Sequence, residues 1–223
     1  GDYIYHADSD DWLEAGAIEK IARKIEATDA DIVYFDFYKE YPTKSKAKRE
    51  RDYAVDAQRE YVRNMYNHRS YASVWNKCVR HSLYKEHKIY TPQYGYAEDC
   101  YLMSQLVGYS SSIVHLEEYL YHYRKGNPNA LTGQQRRKRK REYALNFLDL
   151  YERYKDVPTE ENPVAVIFDD MLIQAGWYSI FYRLDLFKRY PWLAAAVRKA
   201  KMHRKTDVWL LSQLITQIYV MFK

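Results

Sequence analysis

The segment at residues 31–38 reads Asp-Ile-Val-Tyr-Phe-Asp-Phe-Tyr, and it limits the possible fold more than any other part of the chain. Its β-branched and aromatic side chains are typical of a buried strand. Before it, residues 14–27 place apolar side chains on one helical face, and a further helix is predicted over residues 55–67. A buried strand between two helices indicates an α/β protein.

Other strands are predicted in the first half of the chain. Residues 3–7 form one, and residues 112–124 form two short strands around the glutamate pair at 117–118. Residues 42–52 are polar and rich in Lys and Arg, which predicts a loop.

The second half has a different character. From residue 134 onward the pattern is helical, with breaks at residues 157–163 and near Pro191. We therefore place a domain boundary near residue 130. It separates an α/β domain over residues 1–130 from a helical C-terminal domain over residues 131–223.

Composition excludes several classes of protein. Only 7 Gly and 6 Pro are present, which favours helices over an all-β sandwich with many turns. The two cysteines, Cys78 and Cys100, lack the spacing of a disulfide scaffold or a zinc site, and a reducing compartment suits them. The 25 tyrosines suit carbohydrate or interface contacts, although a compositional habit of the source genome explains them equally well.

Three carboxylates follow the first predicted strand. Asp8, Asp10 and Asp11 lie where ligands bind in α/β sheets, at the carboxyl end of a strand. Two carboxylates one residue apart suit Mg²⁺ or Mn²⁺ bridging a diphosphate. The alternative is that Ser9 or Asp11 caps the helix that follows.

At this point several segments together resemble one family. Five of them, in the same order over residues 1–132, resemble segments of family 2 glycosyltransferases with the GT-A fold. They are Gly-Asp-Tyr-Ile-Tyr-His-Ala-Asp-Ser-Asp-Asp-Trp-Leu at 1–13, Asp-Ala-Asp-Ile-Val at 29–33, Trp-Asn-Lys at 75–77 with Arg80 and Leu83, Tyr-Ala-Glu-Asp at 96–99, and Tyr-His-Tyr-Arg at 121–124 followed by Asn-Pro-Asn-Ala-Leu-Thr at 127–132.

The chain departs from the family pattern at a few positions. Ala97 replaces the usual Gly before Glu-Asp, and His6-Ala7 stands where the pattern is usually apolar. The resemblance also implies opening strands of the nucleotide-binding domain before Gly1. We therefore expect an N-terminally truncated domain, the C-terminal half of a Rossmann-like GT-A domain.

The resemblance implies roles for the acidic residues. Asp8 would face the ribose or the metal, and Asp10 would bind Mn²⁺ or Mg²⁺ directly. Asp99 would be the general base that takes a proton from the acceptor hydroxyl, with Glu98 raising the pKa of Asp99 or holding it in place. Spacing alone favours Glu98 and Asp99 as an acidic pair that complements a helix dipole, and the ordered match to the family reverses this preference.

Four further residues are candidates for binding. Arg124 would grip a phosphate, and His122 would be a third metal ligand, unless it is a half-exposed strand residue. Trp75 would stack on a sugar, unless it lies in the core. Lys77 would contact a substrate phosphate or the acceptor, unless it is solvated.

Two basic stretches raise the question of polyanionic partners. Residues 136–141 are six consecutive cations, but no recognisable nucleic-acid fold accompanies them, so we do not expect nucleic acid as a partner. Residues 208–222 have an amphipathic helical pattern after a second basic stretch, which suits either contact with an anionic membrane surface or packing on other helices.

The resemblance implies an enzyme of bacterial surface polysaccharide synthesis. It would be an inverting glycosyltransferase that moves a sugar from a nucleotide-sugar donor, with UDP as the nucleotide, to a glycan or lipid-linked acceptor. We expect it in the cytoplasm, in peripheral contact with the inner face of the plasma membrane. The exposed edge of a half sheet offers a route to a homo-oligomer. The alternative is a catalytically inactive fragment or pseudoenzyme that binds a membrane or a polyanion through its basic helices.

Overall fold

The computed structural model describes residues 1–125 and 136–200 of the chain, in two compact units. Within these residues, the first unit contains residues 1–91, 99–125 and 162–164. The second contains residues 92–98, 136–161 and 165–200. The predicted boundary near residue 130 lies outside the described residues.

A six-stranded mixed sheet forms the framework of the first unit. Its path is β1-β5-β3-β6-β2, and β4 pairs with the outer part of β3. The pairing of β3 with β6 is parallel, and the other pairs are antiparallel. The strands are β1 Tyr3–Tyr5, β2 Trp12–Leu13, β3 Ile32–Tyr41, β4 Lys44–Lys48, β5 Lys77–Arg80 and β6 Ile113–Arg124.

Helices accompany this sheet in the first unit. They are α1 Ala17–Thr28, α2 Gln58–Tyr66, α3 His81–Glu86 and α4 Glu98–Tyr109. The first half of β3 is buried throughout, as the β-branched and aromatic run predicts. This mixed sheet with helices confirms the α/β class.

Two predictions about strands were wrong. Lys44–Lys48 was predicted as a loop, but it forms β4 in a hairpin with β3. The lysines hid this strand, because charged residues are depleted in strands and point to loops. Residues 113–124 form one strand instead of two, with a bulge at the glutamate pair where the register jumps from Leu116 to Tyr119.

The expected side-chain cap of the first helix is absent. α1 begins at Ala17, and its N-cap is Gly16, with φ 74° and no side-chain cap hydrogen bond. Ser9 and Asp11 lie further upstream, since Trp12–Leu13 first forms the short strand β2 against β6. The carboxylate cluster is therefore available for another purpose.

The second unit is helical. Its elements are α5 Arg136–Tyr154, a 3₁₀ turn at Ala165–Ile167, α6 Phe168–Phe181, α7 Leu186–Arg189 and α8 Leu193–Lys199. None of the helices in the described part of the chain combines the length and the apolar character that a membrane span requires. The predicted amphipathic segment at 208–222 lies outside the described residues.

Part of the basic run at 136–141 serves the fold of the second unit. The guanidinium of Arg137 donates to the carbonyl oxygens of Tyr182 (3.0 Å) and Arg183 (2.9 Å), just past the end of α6. Lys140 Nζ donates to the hydroxyl of Tyr178 at 2.8 Å. These cations satisfy groups at a helix C-terminus, where positive charge is favourable.

Ala97, directly before α4, has left-handed backbone geometry with φ 66°. This is the position where the family pattern has Gly. An L-residue with a Cβ pays about 1–2 kcal/mol for that conformation, and Gly does not.

We expect Ala97→Gly to raise the free energy of unfolding by about 0.5–1 kcal/mol, because relief of strain outweighs the entropy that Gly adds to the unfolded chain. Ala22→Gly, in the interior of α1, is the control and should lose about 1 kcal/mol. Urea denaturation measures both, and two losses of equal size would contradict the strain at Ala97.

Candidate functional site

A tight turn follows β1, and Tyr121 of β6 holds it in place. The Asp11 amide donates to the Asp8 carbonyl oxygen at 3.2 Å, which closes the turn. The Tyr121 hydroxyl donates to Asp11 Oδ2 at 2.8 Å and accepts from the Asp8 amide at 3.2 Å. The Arg124 amide donates to Asp11 Oδ1 at 2.7 Å. Both carboxylate oxygens of Asp11 therefore fasten the turn to β6.

The core fixes the position of Tyr121. Its ring stacks on Trp75, with centroids 4.6 Å apart and planes 10° apart. Trp75 in turn meets Phe37 edge to face at 4.7 Å. Trp75 is only 5% exposed, so the structure places it in the core, beneath the residue that holds the turn. The buried ring therefore has a packing role and is not placed to stack on a sugar.

Asp8 and Asp10 lie on the exposed side of the turn. Partial burial, followed by the negative charges of Asp11 and Asp10, raises the pKa of Asp8 above its usual range. Burial also raises the pKa of Asp11, against hydrogen bonds from Arg124 and Tyr121 that lower it. A cation bound here would relieve this repulsion.

His122 lies on the opposite face of β6 from Tyr121. Its Nδ1 is 2.8 Å from Glu40 Oε1, and its Nε2 is 2.9 Å from Glu14 Oε1. The contact with His122 lowers the pKa of Glu40. Both ring nitrogens face carboxylates, so this arrangement does not present His122 as a metal ligand. Within residues 1–125 and 136–200, no three His, Cys, Asp or Glu side chains are grouped so as to hold a metal ion.

Arg124 and Trp12 share the surface beside the turn. The exposed Arg124 guanidinium lies 5.6 Å from the centroid of the Trp12 ring. The other neighbour of Trp12 is His122, stacked at 4.8 Å. Trp12 is 43% exposed, which is high for a Trp. The sequence prediction missed Trp12, although its place directly after the Asp-rich turn was a signal.

Lys77 is fully buried, contrary to both sequence interpretations, which placed it against substrate or in solvent. Its Nζ donates to the carbonyl oxygens of Tyr71 and Ser73 and to Asn76 Oδ1, each at 2.8 Å. Burial lowers the pKa of Lys77 to about 8, against the charges of Glu50 and Asp99, which raise it. Lys77 therefore braces the loop that leads into β5.

Asn76 extends this buried network. Its Nδ2 donates to Glu50 Oε1 at 2.8 Å and to the Phe35 carbonyl oxygen at 3.3 Å. Burial raises the pKa of Glu50, and the charge of Lys77 opposes that rise. The three adjacent residues Trp75, Asn76 and Lys77 therefore all make contacts in the interior of the protein.

Asp99 lies at the first turn of α4 and is half-buried, while Glu98 is exposed. Burial lowers the pKa of Lys77, and the charge of Asp99 acts in the opposite direction. The predicted site residues therefore fall into two groups. One comprises Asp8, Asp10 and Arg124 around the turn that Tyr121 holds, and the other comprises Asp99 with Lys77. Trp75, His122 and Glu98 belong to neither group.

Comparison with known proteins agrees with this framework. Residues 1–88 match the model of glycosyl transferase family 2. The chain is 25% identical over 130 residues to EpsH of Bacillus subtilis (strain 168), a proposed glycosyltransferase. That alignment covers 56% of this chain and 38% of EpsH, so the chain spans well under half the length of this relative.

Solved structures share the fold. S. aureus TarS 1-349 in complex with UDP-GlcNAc aligns with a TM-score of 0.52 and 14% identity, over 92% of this chain and 70% of that one. The structure of S. aureus TarS aligns with a TM-score of 0.53 and 16% identity, over 97% of this chain and 34% of that one. The predicted resemblance and the α/β fold of GT-A type are thereby confirmed.

We expect Tyr121→Phe to lower the free energy of unfolding by about 2 kcal/mol, because it removes a hydrogen bond to a half-buried carboxylate and keeps the ring stacking. Exchange of the Asp8 amide hydrogen should become faster. Tyr123→Phe, on the same face of β6, is the control and should change stability by less than about 0.5 kcal/mol. Equal effects of the two changes would contradict the role assigned to the Tyr121 hydroxyl.

We expect Lys77→Met to cost about 3 kcal/mol or more, because three buried oxygens and the Glu50 carboxylate lose their cationic partner. Lys85→Met, at an exposed position in α3, should cost less than about 0.5 kcal/mol. Chemical denaturation measures both. A stable Lys77→Met protein with lost activity would instead indicate direct contact with substrate.

Proposed function

We propose that this chain, whose residues 1–88 carry the sequence pattern of family 2 glycosyltransferases, transfers a sugar from a nucleotide diphosphate to a hydroxyl group of a glycan or lipid-linked acceptor. The reaction would invert the configuration at the anomeric carbon and serve the synthesis of a cell-surface polymer. One observation carries the proposal: Tyr121 and Arg124 clamp Asp11, so that the turn offers Asp8 and Asp10 to solvent at the end of β1.

Asp8 and Asp10 fit a divalent cation such as Mn²⁺ or Mg²⁺. They offer hard oxygen donors, and partial burial followed by the charges of Asp11 and Asp10 raises the pKa of Asp8. When bound, the cation would neutralise negative charge on the departing diphosphate. Asp11 and His122 are excluded from this donor set, because Asp11 is engaged by Tyr121 and Arg124, and His122 by Glu14 and Glu40.

The surface beside the turn suits the rest of the donor. The Arg124 guanidinium can pair with a phosphate oxygen, and the exposed ring of Trp12 offers an apolar face to a sugar or a base. TarS was crystallised with UDP-GlcNAc, and this supports a UDP-linked sugar as the donor of the present chain.

Asp99 is the proposed general base. A carboxylate that accepts the proton of the acceptor hydroxyl makes that oxygen a better nucleophile as it attacks the anomeric carbon. The charges of Lys77 and Asp99 interact, so the buried ammonium supplies a positive charge near the proposed base. Glu98, exposed one residue earlier, adds to the negative charge at the start of α4.

A cytoplasmic location suits both the nucleotide-sugar donor and the cysteines. Cys78 and Cys100 are free and buried, as in proteins of reducing compartments. We also propose peripheral contact with the plasma membrane through residues 208–222, where a lipid-linked acceptor would be found.

The test is turnover of UDP-sugars with Mn²⁺ by the protein as its gene encodes it. We expect Asp99→Asn to lower kcat at least about 100-fold with unchanged UDP affinity, because only the proton acceptor is lost. Asp10→Asn should abolish the Mn²⁺ dependence of UDP binding. Asp2→Asn, at an exposed position before β1, is the matched control and should leave both unchanged.

Retention of full turnover by Asp99→Asn would contradict the role of Asp99. If the unaltered protein binds neither Mn²⁺ nor UDP-sugars, the glycosyltransferase proposal fails and the inactive-protein alternative is favoured.

A further inference from the structure

A row of lysines occupies one face of the sheet where β4, β3 and β6 run side by side. Lys39 of β3 lies opposite Lys46 of β4 and Tyr123 of β6. Two residues earlier Phe37 lies opposite Lys48, and two residues later Tyr41 lies opposite Lys44. Side chains two residues apart, and side chains directly opposite, point to the same face of a sheet.

Lys125 extends the row. It follows β6, its amide donates to the Glu40 carbonyl oxygen, and its Nζ lies 4.1 Å from the centroid of the Tyr123 ring. We call this surface the lysine face, and it consists of Lys39, Lys44, Lys46, Lys48 and Lys125.

Tyrosine rings, not carboxylates, support the ammonium groups of Lys39, Lys44, Lys46 and Lys125. Lys39 Nζ is 3.2 Å from the Tyr71 hydroxyl oxygen and 4.8 Å from the centroid of that ring. Lys44 and Lys46 both lie over the Tyr41 ring, at 5.9 and 5.8 Å from its centroid. A cation over an aromatic face is stabilised, yet it keeps its full charge and its donors for a ligand.

The lysine face has no internal counter-charge. Among residues 1–125 and 136–200, no carboxylate oxygen lies within 4.0 Å of any of its five ammonium groups. Glu40 is a residue of β3, but its side chain points to the opposite face of the sheet, where it contacts His122 and Ser45. Partial burial and then the charges of Lys125 and Lys48 lower the pKa of Lys39.

The arrangement matches a linear ligand with repeated negative charges. Lys44, Lys46 and Lys48 alternate along β4, so their side chains repeat at about 6.5 Å. A single anion would engage one or two of them, whereas an anionic chain would engage the whole row.

The chemistry favours an acidic glycan over a nucleic acid or a lipid surface. Single-stranded nucleic acids stack their bases on open aromatic faces, but ammonium groups lie over the Tyr41, Tyr71 and Tyr123 rings. A membrane surface calls for exposed apolar side chains beside the cations, whereas the neighbours of these lysines on the same face are the tyrosine rings beneath their ammonium groups. Lysine and tyrosine donors suit acidic groups and sugar hydroxyls.

We infer that the lysine face binds an anionic glycan, one with carboxylate or phosphate groups along its chain, as the acceptor of the transfer reaction. The inference rests on the proposed function, because Lys125 directly follows Arg124, whose amide holds Asp11. An acceptor with its terminal hydroxyl near that turn would continue along β6 onto the lysines.

The test measures binding of fluorescent oligogalacturonate, a carboxylated glycan, to the complete protein. We expect the triple variant Lys44→Gln, Lys46→Gln, Lys48→Gln to weaken binding at least about tenfold, since three exposed ion pairs are lost. The matched control, Lys24→Gln, Lys85→Gln, Lys88→Gln, removes the same charge elsewhere in the first unit and should bind as the unaltered protein does. Replacement of the three β4 lysines by Arg keeps the positive charge and should preserve binding. Preserved binding would show that the ligand recognises the charge and that the strand remains folded.

Neutral dextran should not bind, and added salt should weaken the binding of oligogalacturonate. Equal losses in the two Gln triples would overturn the inference, as would tighter binding of single-stranded DNA or phosphatidylglycerol vesicles than of oligogalacturonate. Hydrolysis of the donor needs no acceptor. Absence of hydrolysis would therefore overturn the proposed function, whereas binding that does not depend on the β4 lysines would overturn this inference alone.

Discussion

The contact between Tyr121 and Asp11 joins the core of the first unit to its surface. The ring of Tyr121 is buried against Trp75, and its hydroxyl reaches the turn after β1. A phenol suits this position because it has a large apolar body and one polar tip. The exposed carboxylates of Asp8 and Asp10 are therefore held by a rigid core residue, which is how a binding site keeps its geometry on a short loop.

A second buried feature directly follows Trp75 in the chain. Lys77, Asn76 and Glu50 are buried together, and transfer of such groups from water is costly unless each one is hydrogen-bonded. The Lys77 ammonium has three oxygen partners, which meets this requirement. Its charge also interacts with that of Asp99, so the network that shapes the loop before β5 is electrostatically coupled to the proposed base.

The sequence predicts the structural features that are determined by residues close together in the chain. The buried strand β3 and the α/β class follow from apolar periodicity, and the Asp-rich turn follows from its place after a strand. The clamp on Asp11 does not follow, because Tyr121 is 110 residues away and its register against the turn is set by the sheet. Burial of Lys77 was missed for the same reason, and β4 was missed because its lysines resemble a loop.

Alternation along β3 and β6 separates opposite charges onto the two faces of one sheet. Glu40 joins His122 on one face, and Lys39 joins Lys125 on the other. The polar groups of the first face are hydrogen-bonded to one another, whereas the second face keeps uncompensated positive charge. Repulsion among like charges costs stability in the unliganded protein, and an anionic ligand recovers that cost on binding. The sheet therefore provides both a self-contained polar face and a charged face that is completed by a ligand.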